Sequence, residues 1–281
     1  MEHARPSHTA LRVAMRRAAH QLYDTKPLVL EDPTAVRILG KEYRPEVEKT
    51  ATKLHKAFSV ALRAFLVARS RYAEDTLAKA VAAGATQYVL LGAGLDTFAF
   101  RNPYAQLRVF EVDHPATQMW KRELMVTNSV EAPSSLTFVP VDFEHQRLTD
   151  ELMGAGFHPQ ERTVFAWLGV VPYLTYAAFR STLDFISDCA QGSAVVMDYS
   201  QPRHALSFHE QLAHDSLAAR VKQAGEPFQL FFTPEELARE CGHFSRVEDM
   251  GSPEINARYF FDRTDNLKVM GSAGRLMSAW L

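Results

Sequence analysis

Residues 88–101, Y-V-L-L-G-A-G-L-D-T-F-A-F-R, constrain this chain more than any other stretch. The run Tyr88 to Leu91 is short and apolar, the pattern of a strand buried in a parallel sheet. It leads into Gly92-Ala93-Gly94. Two glycines at the carboxyl end of such a strand let the backbone turn sharply and let a ligand lie against bare main chain. Asp96 and Arg101 follow, one charge of each sign just beyond the turn.

The segments on either side differ in kind. Upstream, apolar residues recur at helical spacing. The first predicted helix spans 9–23 with Thr9 as N-cap, and Lys26-Pro27 stops it. The second opens at Asp32-Pro33, with Asp32 as N-cap and Pro33 at the first helical position. A third spans 53–67 and a fourth 69–83, ended by Gly84. This predicts a helical cap over residues 1–84. Beyond it, strands are predicted at 88–92, 107–112, 136–141, 163–168, 193–199, 245–250 and 275–280. Helices are predicted at 117–126, 176–189, 205–224 and 234–241. Such alternation predicts an α/β core over 85–281, a mostly parallel, doubly wound sheet with a lid insertion at about 200–232.

Composition narrows the function. Lys and Arg number 31 against 33 Asp and Glu, which argues against a basic nucleic-acid-binding face. Cys189 and Cys241 lie far apart and form no C-x-x-C pair, which suits a reducing cytoplasm and no zinc knuckle. No apolar run reaches the ~18 residues that would predict a membrane span. The spacing H-E-x-x-x-H at His209, Glu210 and His214 is one residue too long for a zinc helix, so no metal is expected.

Ligands of open parallel sheets sit at the carboxyl ends of the strands. Asp113 ends the second strand, about 20 residues past the glycines, where an acid can accept hydrogen bonds from both ribose hydroxyls. Asp142 ends the third strand, placed to take an adenine amino group, with Phe143 packing on the base. The alternative for Asp142 is a helix N-cap. A diphosphate cofactor calls for a third glycine, but that position holds Thr97, and the Asp96 carboxylate would repel a pyrophosphate. A cationic sulfonium or ammonium group suits it better, which favours S-adenosylmethionine over NAD. The methionine carboxylate needs a cation, and Arg69 and Arg101 are the candidates. Read alone, Arg69 and Arg71 would equally make a solvated helix end.

The motifs L-G-A-G-L-D-T-F-A-F-R, F-E-V-D-H-P at residues 110–115 and V-D-F at 141–143 occur in that order. With A-R-S-R-Y at 68–72, W-L-G-V-V-P-Y-L-T at 167–175 and A-R-Y-F-F-D-R-T-D-N-L at 257–267, the chain resembles the leucine carboxyl methyltransferase family. It is most similar to the bacterial branch of S-adenosylmethionine-dependent enzymes. The resemblance implies a class I methyltransferase: a Rossmann-like seven-stranded sheet under the helical cap. It also implies that Arg69 holds the methionine carboxylate, Gly92 and Gly94 pass beneath the methionine, Asp113 binds the ribose, and Asp142 and Phe143 bind the adenine. One position departs from the family. Leu168 stands where relatives carry an acid before G-V, an acid that reaches toward the cofactor amino group.

Methyl transfer from a sulfonium requires mainly that an acceptor be held in line, so alignment supplies much of the acceleration. The expected reaction is O-methylation of a small molecule, carboxyl before hydroxyl. A carboxylate is ionised at neutral pH, whereas a phenol near pKa ~10 needs a base. Candidate bases are Tyr199, His204 and His209, with His214 also on the insertion. Tyr173 is either a substrate contact or part of a turn. The competing readings are a nucleotide-dependent oxidoreductase and a protein that binds S-adenosylmethionine without turnover, the latter kept open by Leu168.

Overall fold

A computed structural model describes residues 7–52, 56–142, 145–223 and 227–281. Seven strands form one sheet in the order β3-β2-β1-β4-β5-β7-β6. They are β1 (Gln87–Leu91), β2 (Arg108–Asp113), β3 (Leu136–Pro140), β4 (Thr163–Trp167), β5 (Ala194–Ser200), β6 (Arg246–Met250) and β7 (Gly274–Trp280). The first five are parallel, while β7 runs antiparallel to both β5 and β6. The order reverses at β1, so β1 and β4 begin the two halves of the sheet, and the crevice above their carboxyl ends is the switch point where such sheets bind ligands. The sheet is class I methyltransferase in type, as expected.

The parallel register follows from burial. All five residues of β1 and all five of β4 are buried, which requires cover on both faces. One face packs on Val67, Ala68, Tyr72 and Leu77 of the helix α4 (Ala57–Ala82), next to Tyr88, Leu90 and Val164 of the strands. The other carries Phe179, Leu183 and Ile186 of α7 (Tyr176–Ser187) against Val89, Phe165 and Val195.

The helices ahead of the sheet are α1 (His8–Tyr23), α2 (Pro33–Leu39), α3 (Arg44–Thr52) and α4. Asp32 caps α2 as expected, accepting from the Ala35 N–H at 3.1 Å, a contact of about 1 kcal/mol. Ser7, not Thr9, caps α1 through the Ala10 N–H. The two helices expected at 53–67 and 69–83 are one. No Gly or Pro interrupts A-F-L-V-A-R-S-R-Y, so α4 runs straight through Arg69. Residues 53–55, where the third helix was expected to begin, lie outside the described residues. Apolar periodicity did not reveal α3, which is polar, or the short α6 (Leu148–Gly154) and α10 (Ser252–Tyr259). The remaining helices are α5 (Pro115–Thr127), α8 (Phe208–Gln223) and α9 (Pro234–Glu240). No described helix is long and apolar enough to cross a membrane.

Candidate active site

The turn after β1 is held in an unusual backbone state. Gly92 has φ of 67° and Gly94 of 51°, the left-handed region that glycine enters without penalty. Space matters as well as angle. A Cβ on Gly92 would come within 2.4 Å of Val170 Cγ2, and one on Gly94 within 3.0 Å of Ala10 Cβ in α1. The glycines therefore let the turn after β4 and the helix α1 approach the loop.

Asp113, at the end of β2, reaches back to this turn. Its Oδ2 accepts from the Gly94 N–H at 2.5 Å and its Oδ1 from the His114 N–H at 2.7 Å. Burial raises the carboxyl pKa, and the two N–H groups oppose that rise. Beside it, Val141 N–H donates to Asp113 O at 2.9 Å, which brings the end of β3 alongside. Asp142 follows, half-buried, with its Oδ2 3.0 Å from His145 Nδ1. Its backbone oxygen accepts from the His145 and Gln146 N–H groups. Phe143, expected to pack on the adenine, lies outside the described residues.

Asp96 and Arg101 belong to a buried ion network. Arg17 of α1 donates to Asp32 Oδ2 at 2.5 Å, to Asp96 Oδ2 at 2.9 Å and to Thr97 Oγ1 at 2.8 Å. The Arg17 and Asp32 side chains are only 3% and 0% exposed. Burial presses the Asp96 carboxyl upward in pKa, but Arg17, the Phe98 N–H and Arg101 outweigh it and hold the group below its usual value. Arg101 makes a fork-shaped pair with Glu74 of α4 and lies 3.4 Å from Asp32. Below the loop, Lys121 of α5 donates to Asp96 O at 2.6 Å and to Glu111 of β2 at 2.5 Å. Burial pushes Glu111 up to about 7 despite that lysine. The Asp96 charge that would turn a diphosphate away is thus already balanced by Arg17, and Arg101 is committed to Glu74.

Arg69 stands apart from that network. It leaves the middle of α4, buried, and its Nη1 donates to Asp198 Oδ2 at 2.9 Å at the carboxyl end of β5. The other Asp198 oxygen accepts from the Gly169 N–H at 2.5 Å, just beyond β4. Gly169 has φ of 74°, and a Cβ there would meet the Arg69 guanidinium at 2.8 Å. The arginine therefore lies across the ends of β4 and β5, beside Leu168. Asp198 escaped the sequence reading. Its signal was an acid near the end of the apolar run A-V-V-M-D-Y. Arg17, Asp32 and Glu74 were missed as partners because their contacts are remote in sequence.

The proposed bases are not gathered here. Tyr199 is buried and donates to Asp249 Oδ2 at 2.8 Å. Burial, then the Asp249 charge, drives its phenol pKa up, away from service as a base. His204 and His209 are exposed. Tyr173 is half-buried in the turn Val171–Tyr173 over β4. Glu210, between the histidines on α8, accepts from Ser207 and from the backbone and side chain of Ser272. Those hydrogen bonds overcome its partial burial and lower it to about 2, so it anchors the lid. A cleft of about 460 Å³ lined by Thr86, Leu107, Arg108, Ser135 and Glu161 lies at the opposite, amino ends of the strands and holds none of these residues.

Carboxylates at the ends of β2 and β3, a glycine turn after β1 and a buried arginine across β4 and β5 form a donor and acceptor set that fits a cationic amino-acid nucleoside. The strand order is that of the class I S-adenosylmethionine methyltransferases. Comparison with known proteins agrees. A family model for leucine carboxyl methyltransferase matches residues 10–187. YktD of Bacillus subtilis, whose name places it among S-adenosyl-L-methionine-dependent methyltransferases, is 32% identical over 286 residues, 93% of each chain. A similarly named protein of Saccharopolyspora erythraea is 31% identical, covering 68% of this chain and 66% of its own. In fold, the chain is similar to a methyltransferase crystal structure from Thermobifida fusca, with a TM-score of 0.59 at 15% identity over 99% of this chain and 96% of that one. A DUF574 family structure from Streptomyces avermitilis gives 0.53 at 16% identity, over 87% and 94%. The chain belongs to the leucine carboxyl methyltransferase family, and it is an S-adenosylmethionine-dependent methyltransferase. That sets aside the oxidoreductase and the binding protein without turnover.

Proposed function

We propose that the protein transfers the methyl group to an oxygen of a small-molecule acceptor. The observation that carries this reading is the division of labour at the strand ends. Arg69, held by Asp198 above Gly169, is the cation for the methionine carboxylate. Asp113, held at the glycine turn, is the acid for the ribose hydroxyls, and Asp142 lies beside it for the adenine. Leu168 leaves no acid before Gly169, and Asp198, one strand over, accepts from the Gly169 N–H. The bound cofactor supplies an electrophilic methyl group. The protein's own part is to orient, to keep water out and to hold the acceptor oxygen in line.

An oxygen acceptor is supported by the family, which is named for a carboxyl acceptor. A small one is supported by the lid formed by α8 and residues 227–232, which crosses the ends of β4 and β5. Calorimetry tests the cofactor half. S-adenosylhomocysteine should bind with measurable heat and NAD should give none. Arg69→Met should weaken S-adenosylhomocysteine by about tenfold or more, the loss expected for one charge-assisted contact. Incubation with cofactor labelled in the methyl group and a library of small acids and phenols tests the acceptor half. Label appearing on nitrogen or carbon products alone would reject O-transfer.

A further inference from the structure

The lid over β4 and β5 carries a group of rings that the cofactor reading does not use. Gln229 and Leu230 N–H groups donate to Pro172 O at 2.7 and 3.2 Å, and Phe232 N–H donates to Ser200 O at 3.1 Å. Gln229 Nε2 adds a bond to Tyr173 O at 2.8 Å. These bonds seat the segment on the turn that follows Gly169. They bring the Phe228 ring 5.2 Å from Tyr173 and 6.2 Å from Phe231, centroid to centroid. His214 of α8 joins them, 5.4 Å from Phe231 and 6.4 Å from Phe228. The ring planes are inclined by 38° to 84°, so no pair is stacked. Tilted rings of this sort present faces and edges to a third flat group.

His214 is the odd member. Its side chain is 13% exposed, yet both ring nitrogens are buried and neither has a hydrogen-bond partner among the described residues. Asp215 Oδ1 is 3.6 Å from Nδ1, too far for a hydrogen bond, and its carboxylate is taken by Arg203 at 3.0 to 3.2 Å. A buried polar atom left unpaired is costly, and native structures rarely leave one without a reason. Among the described residues, these rings include no lysine or arginine side chain. The cluster holds aromatic rings and an imidazole whose nitrogens make no hydrogen bond among the described residues.

We propose that this ring cluster is the acceptor subsite, that it takes a flat aromatic compound bearing a hydroxyl, and that His214 accepts the hydroxyl proton. The inference rests on the O-methyl transfer reading and names its substrate class. The proton leaves the acceptor oxygen for an imidazole nitrogen, the electron pair of the broken O–H bond stays on oxygen, and the imidazolium later yields its proton to water. A phenol needs such a base where a carboxylate does not.

The test uses the full chain saturated with S-adenosylhomocysteine and follows three probes by NMR titration: 2-naphthol, 2-methoxynaphthalene and cyclohexanol. Wild type should bind 2-naphthol about tenfold tighter than its methyl ether, the worth of one buried hydrogen bond. Cyclohexanol should bind at least about tenfold more weakly than 2-naphthol, lacking the ring. His214→Phe should bind both naphthalenes alike, and Phe231→Leu should weaken both. His214→Gln, which keeps an acceptor, should retain part of the hydroxyl preference, and it decides the question if His214→Phe fails to fold. Equal binding of cyclohexanol, or an unchanged preference in His214→Phe and His214→Gln, overturns the proposal. Heat from S-adenosylhomocysteine with no preference among the probes sinks this inference alone. Absence of that heat sinks the cofactor site beneath it.

Discussion

The strand-end surface has two halves built on different principles. Around β1 and β2, charges are paired with one another inside the protein, although Arg17 Nε, Arg101 Nε and Glu111 Oε1 make no hydrogen bond among the described residues. Arg17, Asp32, Asp96, Arg101, Glu74, Lys121 and Glu111 hold one another and pin the cap to the glycine turn. Around β4 and β5 lies the buried pair of Arg69 with Asp198, under a lid of rings whose histidine has no hydrogen-bond partner among the described residues. The first half spends its polarity on holding shape. The second leaves the two His214 nitrogens without a hydrogen bond among the described residues. Buried polar groups strengthen a structure when they are satisfied, and His214 is the side chain with both of its ring nitrogens unmet among the described residues.

The comparison predicts that damage on the first side appears as lost stability, and on the second as lost binding. The largest effect should come from Arg17→Met, which leaves Asp32 and Asp96 buried without their shared cation. Urea denaturation should show a loss of about 3–5 kcal/mol. A loss under ~1 kcal/mol would mean the network is not what ties cap to core.

Asp198→Asn should cost less stability, about 1–3 kcal/mol. It should also weaken S-adenosylhomocysteine by about tenfold or more, because Arg69 loses the group that aims it. If stability falls as far as in Arg17→Met while affinity holds, the two halves do not differ as described.

Gly92→Ala should cost about 1–3 kcal/mol, from a left-handed φ and a clash with Val170. Adding Val170→Ala should restore the part due to the clash. No recovery would place the whole cost in the backbone angle.

Glu111 gives a smaller effect with a defined sign. Burial raises its pKa to about 7 in the folded chain from the ordinary 4.5. Between those values the folded state binds a proton that the unfolded state lacks. Its contribution is therefore fully present below pH ~4.5 and declines as pH rises toward about 7, by about 1–3 kcal/mol in all. Glu111→Gln should flatten that part of the stability–pH curve. Asp96 acts in the opposite sense, since its pKa is lowered. Its contribution is present above the usual carboxylate pKa and is lost as acid drives the pH down through the folded value. The smallest effect belongs to Arg203→Ala on the exposed face of the lid, where its pair with Asp215 is solvated. Its melting temperature should match wild type within error.

The β1 half was legible because its signals are local. The apolar run into Gly92-Ala93-Gly94 and the acid at Asp113 lie within about two dozen residues, and strand, turn and acid follow from short-range chemistry. The partners of those residues were not legible. Arg17 meets Asp96 across 79 positions, and Arg69 meets Asp198 across 129. Spacing along the chain carries no record of such pairs. The division of α4 into two helices failed because propensity gives no break there, and the Arg69 side chain takes its direction from the sheet it crosses.

By itself the sequence determined the alternating sheet, the glycine turn, the acids at the strand ends and the resemblance that names the family. Each depends on residue type and near neighbours, which the linear chain states outright. Only the tertiary structure decided which charges are already neutralised and which stay available. That follows from burial: a charge removed from water must find a partner, and packing chooses the partner from anywhere in the chain. The same packing put four rings from three segments over β4 and β5, leaving His214 with nitrogens that no local pattern could have shown to be unmet.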